Sequence, residues 1–169
     1  MIEKGLIDWI ARDKGISNRE MIEKDLLLQG LLVKLSHSDY FKRHYVFKGG
    51  TCLTKAYFGY YRFSEDLDFT WMRPEIFENL SGKRVRKKLT DEINQLIALF
   101  EVETKSLGLD FKPKKSDSHY MEFGGSNRFA TFKFWYSSNV TGKETFIKVQ
   151  INFVEKIHYS PVLKRVLPL

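Results

Sequence analysis

The segment RFSEDLDF, residues 62–69, decides the expected fold. Within it Asp66 and Asp68 alternate with Leu67 and Phe69, which is the period of a β-strand with one polar and one apolar face. Two carboxylates on one face repel each other unless a cation lies between them. Mg²⁺ prefers such oxygen ligands and shares its coordination sphere with substrate phosphates. We therefore predict a Mg²⁺ site at Asp66 and Asp68, although an Asp-x-Asp pattern alone also occurs as an acidic rim.

A second segment, FKGGT, residues 47–51, follows a β-prone run and precedes a stretch, 51–58, that suits a short helix. Free main-chain N–H groups at a helix N-terminus favour phosphate binding. Glycines at positions 49 and 50 allow close approach of a ligand, and we expect Gly50 to adopt an unusual φ. The Thr51 hydroxyl can add a further donor. The alternative is an ordinary tight turn.

The rest of the chain shows the periodicity of one domain that contains both helices and strands. The predicted elements are a helix over 2–14, a helix opened by a capping box at 17–20, a strand at 45–47, a helix over 51–58, a strand at 66–69, a short helix from Pro74, a helix over 85–100, and strands at 119–123, 129–136 and 145–154. We predict an α+β domain, residues 1–169, with a mixed sheet flanked by helices. Its N-terminal helices would lie within 1–44 and its catalytic core within 45–169.

Composition limits which cellular compartment and which classes of binding partner we expect. The net charge is +7, which favours polyanions such as nucleotides and RNA or simply keeps the protein dispersed. No stretch approaches the roughly 20 apolar residues that span a membrane, and the N-terminus lacks a signal-peptide core. Cys52 is the single cysteine, so a reducing compartment fits best. We expect a cytoplasmic protein with no membrane partner.

Taken together, FKGGTCLTKAY at 47–57 and RFSEDLDF at 62–69 closely resemble the bacterial AbiEii/AbiGii toxin family of nucleotidyltransferases, within the polymerase-β-like superfamily. The resemblance implies Mg²⁺-dependent transfer of a nucleoside monophosphate from an NTP to an acceptor, with release of pyrophosphate. In this family the acceptors are thought to include tRNA 3′ ends. The resemblance also implies a toxin–antitoxin or phage-defence system, in which a cognate antitoxin accompanies the enzyme.

The resemblance also implies roles for individual residues. Asp66 and Asp68 match the metal ligands, and Ser64 joins them as a catalytic residue. The implied nucleotide-binding set is Lys48, Gly49, Gly50, Thr51, Lys55, Arg62 and Ser64. Within that set Lys48 and Lys55 are the weaker candidates, and Lys55 fits equally well as a solvated helix residue.

The superfamily normally supplies a third carboxylate from a later strand, and here the sequence departs from that pattern. Within residues 146–153 the odd positions are apolar, so Lys148, Gln150 and Asn152 share the other face. Gln150 stands where an acid is expected, and an amide cannot accept a proton. The third position is therefore uncertain between Gln150 and Lys148, where Lys148 could bind phosphate or be a plain exposed lysine.

Two further expectations accompany the resemblance. Family members typically continue into a helical second half, which we expect this chain to lack. The alternative function is a catalytically inactive nucleotidyltransferase-fold module that binds RNA or a protein partner. A glycosyltransferase is a weaker rival, because the early β-α-β alternation of a nucleotide-sugar domain is absent from the sequence.

Overall fold

A computed structural model describes residues 2–59, 63 and 65–166 of the chain. The helices are α1 (Lys4–Asp13), α2 (Arg19–His37), α3 (Asp39–His44), α4 (Gly49–Leu53), which continues as a π-helix (Thr54–Phe58), a 3-10 helix (Pro74–Phe77) and α5 (Gly82–Ser106). The strands are β1 (Tyr45–Lys48), β2 (Asp66–Trp71), β3 (Met121–Gly124), β4 (Phe129–Ser137) and β5 (Glu144–Asn152). Among the described residues, none of the helices has the length and apolar character that crossing a bilayer requires.

The five strands form one mixed sheet in the order β1-β2-β5-β4-β3. Strands β2 and β5 run parallel, and the other neighbouring pairs run antiparallel. Parallel neighbours need a long crossover connection, and here the chain between β2 and β5 contains the 3-10 helix, α5, β3 and β4. Helices with a mixed sheet are the α+β architecture that the sequence predicts, so that prediction is confirmed.

The core lies between one face of this sheet and the helices α2 and α5. Its fully buried residues come from all three layers: Leu28, Leu31 and Leu35 from α2, Leu89, Leu96 and Phe100 from α5, and Leu67, Phe132, Phe134, Ile147 and Val149 from the strands. The Phe100 ring packs 4.8 Å from that of Phe132 and 5.2 Å from that of Phe134. Burying each such side chain contributes roughly 1.5–3 kcal/mol, so this layer holds the sheet flat against the helices.

The other face of the sheet carries polar side chains and is called the open face below. Asp66 and Asp68 of β2 and Lys148 and Gln150 of β5 point to it and stay partly exposed. They do so because their strand neighbours, such as Leu67 and Val149, are buried against the helices and side chains alternate along a strand. The expected common face of the two aspartates is therefore present.

Two helices begin at residues other than those predicted. The N-cap of α2 is Asn18, whose side chain accepts a hydrogen bond from the Met21 N–H at 3.2 Å, rather than Ser17. The helix expected over 51–58 begins two residues earlier, at Gly49, and changes to π geometry at Thr54. Helix α3 was not predicted, because its six residues are too few to show a period.

Candidate functional site

Asp66 and Asp68, the acid pair, lie at the centre of the site on β2. The side chain of Asp66 is 29% exposed, and its Oδ2 lies 3.3 Å from the Lys148 Nζ. Burial raises the pKa of Asp68, and the neighbouring charge of Asp66 raises it further, while Lys48 and Lys148 oppose both effects. The acid pair is thus a concentration of negative charge that two lysines balance only in part.

The acid pair fits Mg²⁺ by the chemistry of its donors. Carboxylate oxygens on one face suit a hard cation, and their mutual repulsion is relieved when a cation binds. Within the described residues no group of three His, Cys, Asp or Glu side chains is placed to hold a metal. Asp66 and Asp68 would therefore leave most coordination positions to water and substrate phosphates, as Mg²⁺ sites commonly do.

Gly49 packs directly against the acid pair. Its φ is +76°, and a Cβ built on it would lie 3.1 Å from the Asp68 Cβ and 3.2 Å from the Asp68 Cγ. Only glycine tolerates both that backbone angle and that contact. The unusual φ expected at Gly50 is therefore found at Gly49, the first residue of α4, whereas Gly50, the second, has no positive φ.

Thr51 connects α4 to the start of β2. Its side chain is 1% exposed, and its hydroxyl donates a hydrogen bond to the main-chain oxygen of Asp66 at 2.7 Å. A hydroxyl has one proton to donate, so this bond engages the donor that was expected to meet a phosphate. Thr51 thereby holds Asp66 in place, and its nucleotide-binding role stays a prediction.

Lys55 occupies a different place from the one expected. Its side chain is fully buried, and its Nζ lies 2.9 Å from Asp25 Oδ2 and 3.1 Å from Gln29 Oε1. Burial lowers the pKa of Lys55, and Asp25 opposes that shift. The alternative of a solvated helix lysine is therefore wrong, because the Lys55 side chain is buried and its ammonium group ties the π-helix to α2. The nucleotide-binding role of Lys55 stays a prediction.

Lys48 stands beside the acid pair on the neighbouring strand. The β1–β2 register places it opposite Asp68, and its ammonium group forms an ion pair with Glu155. Thr70 also donates a hydrogen bond to the Glu155 carboxylate. Both hydrogen bonds lower the pKa of Glu155, so Glu155 is a stable third negative charge near the acid pair.

Glu155 is the site residue that sequence reasoning missed. It lies beyond the end of β5, where strand alternation no longer predicts side-chain direction. The turn that brings it back is held by Asn152, whose side-chain oxygen accepts hydrogen bonds from the N–H groups of Val154 and Glu155, both at 3.0 Å. An asparagine at a strand end is a turn signal, and it is the one feature of the sequence that pointed to this return.

The β2–β5 register settles the placement of the uncertain third position. Gln150 lies opposite Asp68, and Lys148 lies opposite Asp66. Both candidates therefore adjoin the acid pair on the open face, as the alternation of the sequence predicted. Arg62 and Ser64, which the resemblance placed at the triphosphate, lie outside the described residues.

Replacing Gly49 by alanine is expected to damage the acid pair, whereas replacing Gly5 on α1 is not. In Gly49→Ala the new Cβ meets Asp68 and requires a strained φ, so we expect a loss of about 1–3 kcal/mol in the free energy of unfolding and weaker Mg²⁺ binding. Gly5→Ala is the matched control, because Gly5 lies in α1 with nothing within 4 Å of an added Cβ, so it should stabilise the protein by up to about 1 kcal/mol and leave Mg²⁺ binding unchanged. Urea denaturation and Mg²⁺ calorimetry measure both effects. Equal behaviour of the two variants would contradict the assigned contact.

Removing the ammonium group of Lys55 should destabilise the fold. Lys55→Met breaks the ion pair that joins the Lys55 Nζ to the Asp25 Oδ2 at 2.9 Å, and removal of one partner of a buried ion pair typically costs about 3–5 kcal/mol. The double variant Lys55→Met/Asp25→Leu removes both charges, so we expect it to regain most of that loss. Urea denaturation of the two variants and the native protein gives the comparison. A double variant as unstable as the single one would show that the ion pair is not the source.

Comparison with known proteins agrees with this geometry. A family model described as the nucleotidyl transferase AbiEii toxin of type IV toxin–antitoxin systems matches residues 30–169. Neither a search of the curated proteins nor a search of the solved structures gave a match. The matched range contains all five strands, the acid pair and the glycine contact. The chain therefore belongs to the AbiEii family of nucleotidyl transferase toxins.

Proposed function

We propose that this protein is a Mg²⁺-dependent enzyme that transfers a nucleoside monophosphate from an NTP to an RNA acceptor such as tRNA, as a toxin with a cognate antitoxin in the cytoplasm. The observation that carries the proposal is the contact between Gly49 and Asp68 beside Asp66. It places a helix start, where main-chain N–H groups favour phosphate, directly against two carboxylates suited to a metal. The family supports the reaction class.

In such a transfer the acid pair and Lys148 would have separate roles. Mg²⁺ bound at the acid pair would neutralise charge that develops on the transferring phosphate. Lys148, 3.3 Å from Asp66, supplies a further positive charge on the β5 side. The acceptor hydroxyl forms a bond to the α-phosphorus, while the bond to pyrophosphate breaks on the opposite side. Positioning and electrostatic stabilisation account for most catalysis of this kind.

An RNA acceptor is supported by an exposed basic surface on α5. The exposed cations of its first turns are Lys83, Arg84, Arg86, Lys87 and Lys88. Within the described residues none of these five forms an ion pair. The Lys115 Nζ lies 3.4 Å from the Thr90 main-chain oxygen, which joins the basic loop 112–115 to the same surface. Positive charges at a helix N-terminus are repelled by the positive end of the helix dipole. They lower the stability of the helix, so their presence is better explained by binding of a polyanion.

The alternative proposal is an inactive module of the same fold that binds RNA or a protein. The observation that favours it is Gln150, which lies opposite Asp68 where an acid would assist the reaction. Glu155 weighs against it, because its carboxylate adds negative charge near the same site.

Conversion of either aspartate to asparagine is expected to abolish transfer and leave the fold intact. Asp66→Asn and Asp68→Asn each remove one charge of the acid pair, which weakens Mg²⁺ binding and relieves repulsion in the metal-free protein. The assay incubates the protein with each labelled NTP, Mg²⁺ and total cellular RNA and follows label in RNA. Asp13→Asn, at an exposed position on α1, is the matched control. Labelling at the native level in either variant would refute the metal assignment.

Restoring an acid at position 150 should raise activity. Gln150→Glu adds a carboxylate opposite Asp68, and general-base assistance is worth about 10²–10⁴-fold in rate. The added charge should also tighten Mg²⁺ binding, since charged oxygens hold hard cations better than amide oxygens. Initial rates and Mg²⁺ calorimetry test both expectations. A folded variant with no gain in either would show that the reaction does not use an acid at this position.

A further inference from the structure

The open face carries a row of aromatic side chains beyond the acid pair. The rings of His119 and Trp135 stack with centroids 4.0 Å apart and an angle of 7° between their planes. The rings of Trp135 and Phe146 lie 4.8 Å apart at 50°. The Trp135 Nε1 donates a hydrogen bond to the His119 main-chain oxygen at 2.8 Å, so the row is held in a fixed orientation. We call these three residues the aromatic row.

The registers of the strands connect the aromatic row to the acid pair. Asp66 lies opposite Lys148, and Lys148 lies opposite Lys133 on β4. Two residues away along the same strands, Phe146 lies opposite Trp135. Neighbouring strands are about 4.8 Å apart, and two residues along a strand span about 6.7 Å. The aromatic row therefore begins roughly 8 Å from Asp66 (the diagonal of those two spacings), and the next open-face pair along β5 and β4 is Lys148 and Lys133.

The chemistry of this surface suits single-stranded nucleic acid. Aromatic residues lie on both faces of the sheet. Phe132 and Phe134 of β4 are fully buried in the core, whereas Trp135 of β4 and Phe146 of β5 stay partly exposed. Partly exposed aromatic rings on a sheet face provide stacking surfaces for unpaired bases. Lysine ammonium groups beside them attract the phosphates that join those bases. The Lys133 Nζ, which also pairs with the Glu122 Oε1 at 2.5 Å, lies 5.8 Å from the centre of the Phe146 ring, so a positive charge adjoins the stacking surface.

We propose that the aromatic row binds the unpaired 3′-terminal bases of the acceptor RNA and directs the terminal hydroxyl to the acid pair. The inference rests on the proposed function and adds the acceptor site to it. The row lies on the β5–β4 side of the acid pair, whereas Gly49 contacts Asp68 on the β1 side. An in-line displacement needs the attacking oxygen and the leaving pyrophosphate on opposite sides of the phosphorus. The glycine side suits the triphosphate, so the aromatic side is left for the acceptor.

The test measures binding of RNA in the absence of NTP, so that it does not depend on catalysis. A fluorescently labelled RNA hairpin with four unpaired 3′ nucleotides is titrated with the full chain, and NTP affinity is measured separately by calorimetry. Stacking of one base on an aromatic side chain is typically worth about 1–3 kcal/mol. We therefore expect Phe146→Leu to weaken RNA binding by about 5- to 150-fold, with NTP affinity unchanged.

Two control variants separate stacking from general effects. Phe146→Tyr keeps the ring and should retain native RNA affinity. Trp9→Leu removes an aromatic side chain that is 56% exposed on α1, and it should leave RNA affinity unchanged. Should Phe146→Leu fail to fold, the native protein is titrated with the same hairpin carrying 2-aminopurine at its 3′ end. Quenching of that fluorescent base then reports stacking without any substitution.

The outcomes distinguish this inference from the proposed function. RNA binding that depends on Phe146, in a protein that transfers nothing, would support the aromatic row and refute the transferase. Native RNA affinity in folded Phe146→Leu, absence of RNA binding by the native protein, or an unquenched 2-aminopurine would overturn the inference. A loss of NTP affinity with RNA affinity unchanged would also overturn it, since the row would then hold the base of the nucleotide.

Discussion

The absence of a side chain at Gly49 is the constraint on which the site depends. Its main chain comes so close to Asp68 that a Cβ would lie 3.1 Å from the Asp68 Cβ. The same residue holds a φ of +76°, which turns the chain from β1 directly into α4. Only glycine therefore allows the start of α4 to lie against the Asp68 carboxylate, and this contact places a helix N-terminus beside the acid pair.

Two buried interactions keep that close contact in place. The Thr51 hydroxyl binds the main chain of Asp66 at 2.7 Å, so α4 and β2 cannot separate without loss of a buried hydrogen bond. One turn later Lys55 anchors the π-helix to Asp25 on α2. A buried ion pair is costly to break because the remaining charge stays unsolvated. Thr51 and Lys55 both belong to the segment FKGGTCLTKAY, residues 47–57, and both side chains are buried.

The two faces of the sheet explain how one small domain combines a buried apolar core with a polar open face. Alternation along β2, β4 and β5 sends apolar side chains to α2 and α5 and sends charged, polar and some aromatic side chains to the open face. Because β5 pairs with both β2 and β4, it connects the acid pair to the aromatic row. The parallel β2–β5 pairing sets which side chains become neighbours of Asp66 and Asp68.

Local pattern alone determined the α+β class, the common face of Asp66 and Asp68, and the direction of Gln150, because alternation and periodicity are properties of neighbouring residues. The family followed from the same two segments. Only the tertiary structure decided that Gly49 rather than Gly50 carries the unusual φ, that Lys55 is buried against Asp25, and that Glu155 returns to the site. These features depend on contacts between residues 19, 30 and 107 positions apart in the chain. No local period records such contacts, since strand register and helix packing bring the partners together only in the folded chain.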